Sequence, residues 1–199
     1  MKDKQISTKE KILLESMKLF SVQGFEAVSV RNIAAAVGVR DSALYKHFSN
    51  KQAIFDAIVE TSRNKFIEKY QEMQQRHNVD IDFCEMCLLM FRFQTQDEWI
   101  VRFRQMLIIE QFNNPYIAEI YKELFIDMPI GHQAKIFSQL IQLGIMKDGN
   151  PRVMSMELYA PFFLYHTIHM TDEESKQLEK ELRQHILNFQ EMYALVKVK

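Results

Sequence analysis

The chain has 199 residues, 47% hydrophobic and 26% charged, with 25 basic against 26 acidic side chains for a formal net charge of −1. That composition fills the core of one large or two small globular domains, and the near-neutral charge argues against indiscriminate nucleic-acid binding, though its distribution matters more than its sum. No run of 18 apolar residues and no signal-peptide pattern occurs, and the two cysteines, Cys84 and Cys87, stand too close to staple a domain, so a cytoplasmic protein away from membranes is expected.

Five glycines and four prolines are scattered without strand-like alternation, which predicts an all-α fold of about nine helices. Ser7 with Glu10 forms a capping box, and Ile12, Leu13, Leu19 and Phe20 recur at helical spacing up to a stop at Gly24. Ser29 caps a second helix to about Val37, and a third is expected from Asp41 to His47. Ser49 with Gln52 reads as another capping box, opening a long fourth helix through Ile54, Phe55, Ile58, Val59, Phe66, Tyr70 and Met73. Past the polar break from Arg76 to Asp80, helices are expected at Ile81 to Gln94 and at Glu98 to Phe112. A further one starts at Pro115 and is interrupted at Pro129 and Gly131 before resuming to Leu143. Arg152 to His169 follows, with a kink expected at Pro161, and Thr171 with Glu174 caps the last helix.

The segment Ser29 to Lys51, SVRNIAAAVGVRDSALYKHFSNK, is the most informative. Two short helical patterns meet at Gly38, and Val30, Ile33, Ala34, Val37, Val39, Leu44 and Phe48 can share one small core. Arg40, Asp41, Ser42, Ala43, Lys46 and His47 are left outside. This is a helix-turn-helix, which lays its second helix in the DNA major groove while the first crosses the backbone. Charge agrees with that placement: from Met1 to Arg63 there are ten basic and seven acidic residues, against 15 and 19 in the remainder. The expected division is a DNA-binding head over residues 1–50, followed by a helical bundle over residues 51–199 to which the family resemblance described next assigns effector binding and dimerisation.

From about Lys11 to Ile58 the chain resembles the N-terminal domain of TetR-like transcriptional repressors. The landmarks are Ile12, Leu13, Leu19, Phe20, Gly24, Phe25, Ser29, Val30, Ile33, Ala34, Val37, Gly38, Val39, Leu44, Tyr45, His47, Phe48 and Lys51, in that order and spacing. The resemblance implies a homodimer paired through the last two helices on a palindromic double-stranded operator. It places Ser29, Tyr45, Lys46, His47 and Lys51 at phosphates, and hydroxyls and amines near helix N-termini suit phosphate oxygens independently. Ser29 serves equally as a plain cap, and the alternative for Tyr45 is a partly buried core ring, with Tyr45 and Lys51 the firmest of the five. Base reading falls to Arg40, Asp41, Ser42 and Ala43: Arg40 can grip guanine with two bonds and Asp41 can accept from cytosine, or Asp41 simply caps its helix. Arg40 and Asp41-Ser42 depart from the commoner family residues, Ser or Thr and Lys-Gly, so a relative's operator does not transfer.

Ten of the 12 methionines and ten of the 15 phenylalanines lie from Met73 onward, a stock that fills a core or lines an adaptable apolar cavity. The resemblance implies a small effector inside the bundle that displaces the fourth helix and changes the separation of two heads. Phe91, Trp99, Phe103, Met106, Tyr121, Tyr159 and Phe162 are candidate walls, with Arg104, His132 and His166 as polar anchors. On the last helix, Leu178, Leu182, Ile186, Phe189, Tyr193 and Val196 form a stripe that packs on its own core or on a second copy.

Two other controls are open. Cys84 and Cys87 repeat the spacing of His166 and His169, which together offer a zinc or redox site, and a protein partner is the third option. No metal or cofactor is expected. P-loop, GxGxxG, GxSxG and HExxH strings are absent, which argues against an enzyme.

Overall fold

The computed structural model describes residues 6–76, 82–166 and 171–193, and these are helical with no β-strand. Helix α1 (Thr8–Gln23) opens on the expected capping box: the Glu10 amide donates to Ser7 Oγ at 3.2 Å, and the Ser7 amide donates to Glu10 Oε2 at 2.8 Å. It ends at Gly24, whose φ of 82° only glycine adopts cheaply. Helix α2 (Val30–Val37) is capped by Ser29 with Asn32 as the reciprocal partner, and Gly38 closes it in the left-handed conformation at φ 78°.

Helix α3 is shorter than the sequence predicts, a single turn over Asp41–Leu44. Beyond it the His47 amide donates to the Leu44 carbonyl at 2.9 Å, an i→i−3 bond, so the chain tightens into a turn instead of propagating the helix. Helix α4 (Lys51–Arg76) also starts differently. Asn50 Oδ1 accepts from the Ala53 amide at 2.8 Å, while Gln52 donates to Asp56 at 2.9 Å. Asn50 stands three residues before a free amide, the spacing that a cap needs, and so displaces the Ser49 and Gln52 box.

Helices α5 (Phe83–Gln96) and α6 (Glu98–Glu110) follow, the second capped by Asp97 on the Ile100 amide at 3.0 Å. Asn114 caps α7 (Pro115–Lys122). The expected break at Pro129 and Gly131 is replaced by a continuous helical stretch in which a π-helical turn, Glu123–Asp127, runs into α8 (Met128–Gln142). The wider turn places Pro129 in the first positions of α8, where a missing N–H costs nothing. Asn150 caps α9 (Pro151–His166), which contains Pro161, and Thr171 with Glu174 caps α10 (Asp172–Tyr193) as expected. Counting the stretch from Pro115 to Gln142 as one rod, the described residues hold nine helices.

The chain divides into two compact units, Met1–Tyr70 with Gln96–Lys122, and Gln71–Thr95 with Glu123–Lys199. In the first, α1 packs on both α2 and α6. Phe20, Phe25 and Phe55 form a chain of rings 5.3 and 5.1 Å apart. In the second, α8 lies along α9, and Phe91 meets Phe162 edge-on at 5.3 Å while Phe137 stacks on Phe189 at 5.4 Å. Leu178, Leu182, Ile186 and Phe189 are buried in this core, so these four stripe residues of α10 pack within their own chain. Val196 lies outside the described residues.

Candidate nucleic-acid interface

The head separates its side chains by polarity. Val28, Ile33, Ala34, Val37, Leu44 and Phe48 are buried, with Val30 and Val39 half-buried around them. This core holds the short α3 against α2 and leaves the start of α3 facing solvent. Arg40, Ser42, Tyr45, Lys46 and His47 are exposed, and Asp41 and Ala43 are half-buried. Tyr45 is 54% exposed, so its ring stands outside the core and its hydroxyl is available to a ligand.

Asp41 does not cap α3, whose N-cap Arg40 makes no side-chain hydrogen bond. Its carboxylate instead lies 3.6 Å from Arg31 Nε, from the first turn of α2. Arg31 is almost fully exposed and was missed from sequence, since nothing local marks a helix-start arginine as the neighbour of a residue ten positions on. Exposed pairs of this kind contribute little to stability. Here the pair places a guanidinium beside the face formed by Arg40 and Ser42.

Ser29 is occupied as a cap and also hydrogen-bonds the Asn32 side chain. Lys51 is occupied too: its ammonium donates to the Phe25 carbonyl at 2.8 Å and the Glu26 carbonyl at 3.4 Å, and stands 4.2 Å from the centre of the Phe25 ring. The nine residues singled out from sequence therefore fall into two sets. Seven, Arg40 to Ala43 and Tyr45 to His47, cluster at α3 and the turn after it, while Ser29 and Lys51 have intramolecular partners.

The candidate effector residues are divided between the two units. Trp99, Phe103, Arg104, Met106 and Tyr121 belong to the first unit, where Trp99 Nε1 donates to Ser62 Oγ at 2.9 Å. Arg104 is buried, which pulls its guanidinium down to about 10 against a smaller opposing effect from Tyr121. Phe91, His132, Tyr159 and Phe162 belong to the second unit, where the Tyr159 and Phe162 rings are 4.8 Å apart. Burial, then the nearby Lys135, lower the proton affinity of His132. The side chain of His166 lies outside the described residues.

A set that shares Tyr159 with those candidates lines a cavity of about 20 Å³ in the second unit: Met73, Phe83, Met86, Cys87, Gln133, Ile136 and Tyr159. Gln133 is only 6% exposed and its Nε2 has no hydrogen-bond partner among the described residues. Sequence gave no signal for Gln133, because a glutamine on a helix is ordinarily solvated.

Cys84 and Cys87 are both buried, and burial is the largest cause raising each thiol above its ordinary range. That is opposite to the activated thiolate a redox sensor requires. His169 lies outside the described residues.

Residues 12–58 match the family model described as bacterial regulatory proteins, tetR family. Among curated relatives, the HTH-type transcriptional regulator SAB2452 of Staphylococcus aureus is 25% identical over 63% of this chain and 67% of its own length. The negative regulator IcaR of the biofilm operon icaADBC in Staphylococcus epidermidis is 27% identical over 58% of this chain and 62% of its own, less than two thirds of that relative. Among solved structures, SmeT, repressor of the Stenotrophomonas maltophilia efflux pump SmeDEF, in its triclosan complex superposes with a TM-score of 0.70 at 21% identity. That likeness covers 96% of this chain and 94% of SmeT and shows a shared fold.

Proposed function

We propose that the chain is a TetR-family transcriptional regulator, a dimeric repressor that leaves a palindromic operator when a small, largely apolar effector enters the bundle, a reading supported by the family-model match over residues 12–58 and by the regulators it resembles. The observation that carries the DNA half is the exposed set Arg40, Ser42, Tyr45, Lys46 and His47 held on a buried helix-turn-helix core. In this reading Arg40, Asp41, Ser42 and Ala43 face bases, and Tyr45, Lys46 and His47 face phosphates, with Arg31 beside them. Ser29 and Lys51 support the head from within. Repression is supported by the names of IcaR and SmeT, and a DNA-binding role supports a cytoplasmic location. No helix among the described residues is long and apolar enough to cross a membrane.

One short recognition helix reads few bases, so useful specificity calls for two heads. The surface we assign to pairing is the groove of about 460 Å³ that α9 and α10 leave open, lined by Ala160, Pro161, Leu164, Leu178 and Leu182 with Glu157, Glu181 and His185 at its edges. Leu164 is 64% exposed there, an apolar side chain that a partner copy would cover. The face of α10 that enters the dimer is thus the one where Leu178 and Leu182 border the groove, while Ile186 and Phe189 of the same stripe serve the chain's own core.

For the effector, the cavity beside Gln133 is far below the roughly 300 to 1,000 Å³ of ligand pockets, so entry requires side chains to yield. Met73 and Met86 are the flexible ones in its wall. SmeT, which holds triclosan, supports a compact ring-bearing molecule as the class to try first. The test is anisotropy on duplexes tiling the region beside the gene, with and without triclosan or similar phenols. Tight, salt-sensitive binding by a dimer to one duplex supports the reading, and the same weak affinity for every duplex opposes it.

A further inference from the structure

Two charged side chains from different helices close on one residue of the head. Glu110, the last residue of α6 and 9% exposed, accepts the Phe25 N–H on its carboxylate at 2.7 Å. From the other side, the Lys51 ammonium holds the Phe25 carbonyl at 2.8 Å and lies over its ring. Both main-chain polar groups of Phe25 are thereby taken by ionised partners, the stronger class of hydrogen bond.

The local sequence is shaped to admit this arrangement. A Cβ on Gly24 would stand 2.5 Å from Glu110 Oε1, so the carboxylate reaches the Phe25 amide only because residue 24 has no side chain. The Phe25 ring is wedged between Phe20 of α1 and Phe55 of α4. Phe25 therefore joins α1, α4 and α6, and it sits in the turn from which α2 and α3 depart.

We propose that Glu110 and Lys51 form a clamp on Phe25 that holds α2 and α3 in their DNA-reading orientation, so that a displacement of α6 reaches the recognition face through Glu110. Glu110 is a positioning residue in this account, acting through Phe25 and not on DNA. Lys51 contributes to affinity by geometry, whereas a phosphate contact contributes by releasing counterions. The two roles separate in salt, because each phosphate contact carries a slope of about 0.9 in log affinity against log salt concentration. The functional part of the proposal rests on the DNA-binding reading given above.

The test uses the full-length chain with Glu110→Ala, Glu110→Gln, Lys51→Ala and, as a phosphate-facing control, Lys46→Ala. Hydrogen exchange resolved to the Phe25 amide is measured without DNA, and anisotropy on the tightest duplex from beside the gene is measured over a salt series. Glu110→Ala should speed Phe25 exchange about ten- to a hundredfold and weaken duplex binding several-fold at unchanged salt slope. Glu110→Gln, which keeps an oxygen acceptor, should recover most of both. Lys51→Ala should weaken binding without changing the slope, while Lys46→Ala lowers the slope by about one. Unchanged Phe25 exchange in Glu110→Ala overturns the clamp, and so does faster exchange with undiminished duplex binding. A Lys51→Ala slope reduced like that of Lys46→Ala returns Lys51 to the phosphates and also overturns it. Should Glu110→Ala fail to fold, Phe25 exchange in Lys51→Ala and Glu110→Gln decides the matter. Should the wild-type chain bind no duplex, the DNA reading falls while the exchange data still judge the clamp.

Discussion

The head and the core around α8, α9 and α10 put their large side chains to opposite uses. In the head, the apolar residues of α2 and α3 are spent inside a core of a few side chains, and Arg40, Ser42, Tyr45, Lys46 and His47 remain in water. In the second unit, Phe91, Phe137, Phe162 and Phe189 point inward and the internal space beside Gln133 is about 20 Å³. A surface function can be read from what a core leaves over. An interior function cannot, because the phenylalanine that fills a core and the one that walls a cavity have the same chemistry and periodicity.

The largest expected effects test whether the two cores are equally tight. Phe20→Ala in the head and Phe137→Ala in the second unit should each lower stability by about 3 to 5 kcal/mol, read from denaturant midpoints. A loss under about 1 kcal/mol for Phe137→Ala would mean that the second core is already loose, and the contrast drawn here would dissolve. Next comes Arg40→Ala, expected to cost about 1 to 3 kcal/mol on the best duplex and much less on variants altered at the contacted base pair. A uniform loss would move Arg40 from the bases to the backbone.

Gly24→Ala brings a methyl against Glu110 and forces a non-glycine residue to φ 82°, for a cost of about 1 to 3 kcal/mol in thermal or chemical unfolding. Ser29→Ala removes a cap and should cost about 0.5 to 2 kcal/mol of stability. If it weakens DNA binding far beyond that stability loss, Ser29 has a direct role in addition to capping.

The smallest effect is one of pH. His132 holds its proton less well in the folded chain than at its ordinary value of 6.5, because burial and then Lys135 disfavour the charged ring. The unfolded chain takes up that proton first on acidification, so the contribution is intact above 6.5 and lost as pH falls toward the lowered value. Melting temperature should therefore drop more between pH 7.5 and 5.5 for the wild type than for His132→Gln. Equal drops would assign the acid sensitivity to other groups.

Helix boundaries set by local chemistry were legible: the Ser7 and Glu10 box, the Ser29 cap, the stops at Gly24 and Gly38, and the Thr171 and Glu174 box all depend on residues three apart. Asn50 displaced Ser49 as the cap of α4 because both side chains can accept an amide and only geometry chooses between them. The exposed set at α3 was legible because polarity sorted it. Glu110, Gln133 and the bond from Lys51 to Phe25 were not, since their significance comes from the Phe25 peptide 85 and 26 positions away and from an unpaired amide in a small cavity. The stripe on α10 was visible, but its partner was not, and periodicity gives no means to tell an intrachain core from a second copy.

The central claim is that an exposed α3 face, presented twice, reads DNA. Its most direct test is the mass of the complex formed with the tightest duplex from the region beside the gene, measured at moderate salt for the wild type and for Arg40→Ala. The account predicts two chains per duplex for the wild type and loss of that complex's sequence preference for the variant. A single chain per duplex, or no preference among duplexes in the wild type itself, would contradict it.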